Sequence, residues 1–310
     1  MSVTPSSAPV GGERAGSGAA RGTSPAGELP HCAVELCVDD VAGALLAERA
    51  GLERIELCSA LSEGGLTPSI GTVGRTLERV ERVGVQVLVR ARPGHFVYDE
   101  DEIAAMERDI GACARLDHAD GVVVGFVLGA LTPAATLDTP VVRRLCEACG
   151  PAPVTFHRAF DLVAEPDSTL AELAALGISR VLTSGGAPTA ADGAAALARL
   201  VATARALEPA PGPGGQARVG DAPPGFSVIA AGGVRSGNVV ELVTRTGVSD
   251  VHVSARTTVP LAGGSRPALS LTSIPVPTAS ASRPDPLELD ALRAALAPWR
   301  SAATSSGDRA

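Results

Sequence analysis

From His31 onward, short β-branched runs alternate with helical patterns of apolar residues. The strand-like runs are 32–38, 54–58, 85–90, 121–127, 153–157, 179–183, 227–231 and 250–254, eight in all. Helical patterns lie between them at 39–50, 69–83, 101–116, 140–149, 166–176, 190–207 and 237–246, with a last one at 286–298. Their ends carry the expected signals: Asp39-Asp40 and Ser69 at starts, Pro140 and Pro166 just inside, Gly51, Gly150 and Gly177 just beyond. Eight βα units in series, with no break large enough for a second domain, predict a closed (β/α)8 TIM barrel, an α/β single-domain fold.

Composition trims the edges of that picture. Residues 1–29 read as a disordered tail, the barrel as residues 30–300, and 301–310 as a loose end. Two Pro/Gly/Ser-rich stretches, 208–225 and 257–285, read as long flexible loops. Net charge is −8 with no basic run, which argues against nucleic acid and anionic membrane as partners. No apolar stretch is long enough for a membrane helix, and the first residues lack a signal-peptide core, so a cytoplasmic protein is expected. All 26 basic residues are arginine, which excludes a lysine Schiff base. The 6 cysteines read as reduced thiols, not a disulfide framework.

The chemistry concentrates at strand ends. In 34-VELC-37 and 55-IELC-58, alternation puts Glu35 with Cys37, and Glu56 with Cys58, on one side of each strand. The same parity turns Arg90, Thr155, His157, His252 and Ser254 inward, where a barrel built only to pack would carry Val, Ile and Leu. Cys37 and Cys58, at the ends of neighbouring strands, can share a soft ion such as Cu(I), or can be two small buried fillers. Cys146-x-x-Cys149 lies on a helix without a redox context and reads as buried thiols. Glycine-bearing turns after strands six to eight, with Ser184, Gly185, Gly186, Gly232, Gly233 and Ser254, offer amides to an anion, though tight turns alone explain them. Glu35, Glu56 and His157 are acid–base candidates and Arg90 an anion holder for a small phosphorylated or carboxylated metabolite. A structural ion-pair network of Glu35, Glu56 and Arg90 is the plain alternative.

Five stretches, ELCVD (35–39), RIELCSALSEGGLTPS (54–69), TFHRAFD (155–161), RVLTSGG (180–186) and VHVSAR (251–256), closely resemble the CutC family of copper homeostasis proteins. The resemblance implies a cytoplasmic barrel, usually a homo-oligomer (dimer or tetramer), with Cu(I) binding attributed to some members, and it matches Cys37 and Cys58 to the two ELC cysteines. Three departures stand out: 90-RARPGHF-96, Ala231 in place of a third glycine, and a fourth strand lengthened around 122–127.

Overall fold

A computed structural model describes residues 31–211, 225–260 and 280–300. The two tails and the centres of both predicted loops lie outside these residues. Eight parallel strands, β1 (Ala33–Val38), β2 (Arg54–Leu57), β3 (Gly84–Leu88), β4 (Val124–Leu128), β5 (Val154–Phe156), β6 (Arg180–Thr183), β7 (Ser227–Ala230) and β8 (Asp250–Val253), close into a barrel in sequence order. Pairing of β8 with β1, Glu35 beside His252, completes the ring. Helices α1 (Val41–Arg49), α2 (Ile70–Leu77), α3 (Glu100–Cys113), α4 (Thr139–Cys149), α5 (Pro166–Ala175), α6 (Ala194–Ala204), α7 (Val239–Thr246) and α8 (Pro286–Arg300) follow the eight strands. The predicted (β/α)8 architecture is the observed one.

Local chemistry explains the helix starts. Asp40, Ser69 and Asp138 each accept a backbone N–H in the first turn of α1, α2 and α4. Asp99 and Glu102 form a reciprocal capping box on α3. Such caps are worth about 1 kcal/mol each.

Strand alternation then divides the interior in two. Val34, Leu36, Ile55, Leu57, Val85, Val87, Phe126 and Phe156 face outward into the main core beneath the helices. The opposite face fills the barrel: small apolar groups (Cys37, Cys58, Leu88 and Val127; Leu182, Ile229 and Ala231) sit among polar residues. Towards the amino-terminal end of the strands, Arg54 bridges Glu35 (3.2 Å) and Asp250. Asp250 also accepts the Ser227 and Ser249 hydroxyls, and Arg180 donates to Gln86. This layer plugs the barrel. It also explains Gly125, where a Cβ would collide with the Gln86 amide oxygen.

Three expectations need correction. The fourth strand is not lengthened: β4 has 5 residues and starts at Val124, because residues 119–122 are used in a turn that closes through Val122 N–H to Ala119 O and packs Gly121 against the Glu81 carbonyl. Helix α6 begins at Ala194, since Gly193 is pressed against the Ser184 carbonyl. The 257–285 segment is not loop throughout: β9 (Arg256–Pro260) and β10 (Ser280–Pro284) pair antiparallel at its two ends.

Candidate functional site

The carboxyl ends of the strands surround a cavity of about 180 Å³. Its floor is Cys37, Glu56 and His252, contributed by β1, β2 and β8. Parallel register sets Cys37 directly beside Glu56, and Glu35 beside both Arg54 and His252. The Cys37 thiol donates to Glu56 Oε2 at 3.4 Å, and its sulfur is 3.8 Å from Cys58 Sγ. His252 Nδ1 lies 2.8 Å from Glu35 Oε1, which turns Nε2 towards Glu56 Oε2 at 3.8 Å. Ligand atoms of Cys37, Glu56 and His252 all fall within 4.8 Å of one another.

Charge follows from this packing. Burial opposes ionisation of Glu35, yet the His252 hydrogen bond and the Arg54 charge outweigh it and hold the carboxyl at about 2. Burial pushes Glu56 upward, against the attraction of His252. Burial also disfavours a charged His252, but the Glu56 charge and the Cys37 and Glu35 hydrogen bonds carry it well above 6.5. The Cys37 thiol is driven well above 9.0 by its hydrogen bond with Cys58, then by burial and the Glu56 charge. Protons therefore occupy this floor at neutral pH.

The roof comes from the segment after β2. Ser59 and Leu66 pair across a turn whose one-turn 3-10 helix, Leu61–Glu63, ends at Gly64 and Gly65. Both glycines have positive φ, and a Cβ on Gly65 would sit 2.8 Å from Leu88 Cδ2. Arg90 ties this turn down, donating to the carbonyls of Glu63, Gly65 and Gly94 and lying 5.0 Å over the Phe96 ring. Arg90 is thus first a clamp on two loops, a role its expected assignment to an anion leaves out.

His157 stands on the opposite wall at the end of β5. Gly129, just past the end of β4, makes room for it: a Cβ there would meet the ring at 2.6 Å. Burial, and then the nearby Arg90 charge, lower His157 to about 3, so the ring is neutral. Its Nδ1 accepts from Ala159 N–H, which leaves the proton on Nε2. A neutral ring of this kind favours hydrogen-bond donation over acid–base exchange near pH 7. Of the acid–base candidates, Glu56 and His157 line the cavity, while Glu35 supports the floor from one layer below.

The 183–186 turn does hold an anion, and it is the chain's own. The Asp161 carboxylate accepts from the amides of Ser184 and Gly186 and from the hydroxyls of Thr183 and Ser184. Gly185 donates instead to Thr183 Oγ1. Arg158 completes the group, with Nε on Asp161 (2.8 Å) and Nη2 on Ser184 Oγ (2.9 Å). Gly232 and Gly233 both take positive φ close by, Gly232 packing beside Ser184 and Arg158. Ser254, at the exposed end of β8, belongs to none of these clusters.

An eight-stranded parallel barrel with its polar cavity at the strand carboxyl ends is the class this geometry defines. The chain belongs to the CutC family, whose model matches residues 32–208. A Xylella fastidiosa (strain Temecula1) relative named family protein CutC is 42% identical over 242 residues, covering 78% of this chain and 82% of its own length. The human copper homeostasis protein cutC homolog is 39% identical over 225 residues, covering 73% of this chain and 74% of that protein. A crystal structure of CutC from Streptococcus agalactiae superposes with a TM-score of 0.60 at 28% identity, covering 72% of this chain and 98% of that one. Among the described residues no helix is long and apolar enough to cross a membrane.

Arg54, Arg180 and Asp250 are the residues that strand-end reasoning overlooked. They obey the same parity as Glu56, Leu182 and His252, two positions earlier on their strands, so the signal was present.

Proposed function

We propose that this CutC-family protein binds Cu(I) at the floor of the barrel mouth, with Cys37 and Cys58 as the primary ligands. The observation that carries this reading is the 3.8 Å separation of the two sulfurs. Metal–thiolate bonds are about 2.3 Å, so a single ion can touch both sulfurs with a bent angle and keep a side open. Glu56 and His252 bring ligand atoms within 4.8 Å of the Cys37 sulfur. Two sulfurs in a buried pocket suit a soft monovalent ion better than Mg²⁺ or Ca²⁺.

The surroundings support the same reading. Glu35 holds His252 through Nδ1, the arrangement by which a carboxylate orients a metal-binding imidazole. The cation takes over the position of protons now on Cys37 and His252 and removes the reason those protons are held. Binding is therefore accompanied by proton release and strengthens as pH rises.

The test is anaerobic titration of the reduced full chain with Cu(I) against a competing chelator, with Zn²⁺ as a parallel arm. One tight Cu(I) equivalent is expected in the wild type and none in the Cys37→Ser/Cys58→Ser variant. Cu(I) binding unchanged in that variant, or Zn²⁺ held more tightly than Cu(I), refutes the assignment. Buffers of different ionisation enthalpy report the released protons in the same calorimeter.

A further inference from the structure

The cavity above the floor has a donor chemistry that a metal ion does not use. His157 is 5% exposed, and its Nε2–H has no hydrogen-bond acceptor among the described residues. A buried donor of that kind costs about 1–3 kcal/mol if left unmet. Arg158 on the same wall has Nε and Nη2 committed to Asp161 and Ser184. Its Nη1, beside Gly232, is the nitrogen with no partner among the described residues. Asp161 pairs with Arg158 through Nε alone, so the ion pair leaves Nη1 as an uncommitted donor. Arg90 and Arg158 face the cavity against the single carboxylate of Glu56, and Leu61, Leu88 and Phe96 line the rest. A charged arginine donor, a fixed neutral donor and apolar walls describe a complement to a small anion with an extra oxygen.

We propose that this cavity binds a small 2-oxo or 2-hydroxy acid, its carboxylate at Arg158 and its neighbouring oxygen accepting from His157 Nε2–H. The small volume restricts the ligand to a few heavy atoms. Arg158 is held rigid by its two committed bonds, so little freedom is lost when the carboxylate arrives. His157 is held by Ala159 N–H and by Phe96, whose ring centroid is 4.7 Å away. The proposal does not depend on the copper reading, because neither donor is a ligand in that site.

The experiment uses the full chain freed of metal by a chelator, so its result stands apart from any copper result. Pyruvate, acetate and inorganic phosphate are titrated separately by calorimetry, with the His157 Nε2–H resonance followed by ¹⁵N–¹H NMR. Pyruvate is expected to bind one-to-one and to move that resonance. Acetate lacks the second oxygen and binds about tenfold more weakly or worse, as does pyruvate to Arg158→Met or His157→Phe, the loss expected for one strong hydrogen bond. No saturable pyruvate binding, or binding untouched by both substitutions, overturns the proposal. Phosphate binding that leaves the His157 resonance in place, with no pyruvate binding, overturns it as well. Where a variant fails to fold, the wild-type resonance decides: movement with pyruvate supports the proposal and a fixed signal refutes it.

Discussion

Replacing Arg54 by Met separates charge from packing inside the barrel. The guanidinium is 2% exposed and faces two carboxylates, Glu35 and Asp250, themselves 0% and 2% exposed. Met keeps much of the apolar stem and removes the cation, so both acids lose an ion-pair partner, while Glu35 keeps its His252 hydrogen bond. Removing one member of a buried ion pair costs about 3–5 kcal/mol, because the remaining charge is stranded. The pH dependence gives an independent check. Glu35 falls from its ordinary 4.5 to about 2 in the fold, against burial, through the His252 hydrogen bond first and the Arg54 charge second, so Arg54 supplies only part of the roughly 3 kcal/mol that the shift represents at 1.36 kcal/mol per pH unit. Asp250 is lowered too, through Arg54 and Ser227 acting against burial. Because these folded values lie below the unfolded ones, the stabilisation is complete above about pH 4.5 and is lost as pH falls towards 2. Urea unfolding of wild type and Arg54→Met should thus differ by about 3–5 kcal/mol at pH 7, and the gap should narrow steadily below pH 4.5. A gap that is the same at pH 7 and pH 3.5 refutes the electrostatic account and assigns the loss to packing.

Two further outcomes test the site. Glu35→Gln keeps the shape of the floor but weakens the hold on His252. If His252 completes the metal site, Cu(I) affinity drops about 10–100-fold, and an unchanged affinity in competition titration restricts the ligands to the two thiols. Gly129→Ala drives a methyl into the His157 ring, where the nearest ring atom would be 2.6 Å from the new Cβ. A loss of about 1–3 kcal/mol in chemical denaturation and a displaced His157 imidazole resonance are expected. Wild-type stability with an unmoved resonance contradicts the packing argument.

Much of the barrel could be read in advance, because closed parallel strands obey a period of two. Glu35, Cys37, Glu56, Cys58 and His252 face inward as parity requires, and Cys37 and Cys58 lie side by side, whereas Ser254 is exposed just past the end of β8. What escaped depends on closure and on loops. His252 joins the floor only because β8 pairs with β1, a contact spanning 217 positions in the chain. Strand parity turns His252 inward, but its partners Glu35 and Glu56 follow only from closure of the ring. Arg90 carried the right polarity, but its role as a clamp depends on where the carbonyls of Glu63, Gly65 and Gly94 turn. The amides of Ser184 and Gly186, expected to meet a bound anion, are taken by Asp161, which arrives from a different loop. The start of β4 was misplaced because Val122 has a strand-like side chain but its N–H closes a turn onto Ala119, whereas Val123 still accepts the Val85 N–H of β3.

The cavity floor draws its three residues from the first, second and last strands of the barrel. A ribosome making this chain releases Cys37 and Glu56 long before His252, so the growing polypeptide has no assembled floor until the final strand docks. Site formation is thus a report on ring closure, and a bound ligand stabilises the finished barrel without rewarding partial ones. The protein has, in effect, an inbuilt seal of completion. Moving the termini into the segment between β6 and β7 would place β7, β8, β1 and β2 consecutively in the first half of the chain, and would let a half-barrel present the floor before the circle is whole.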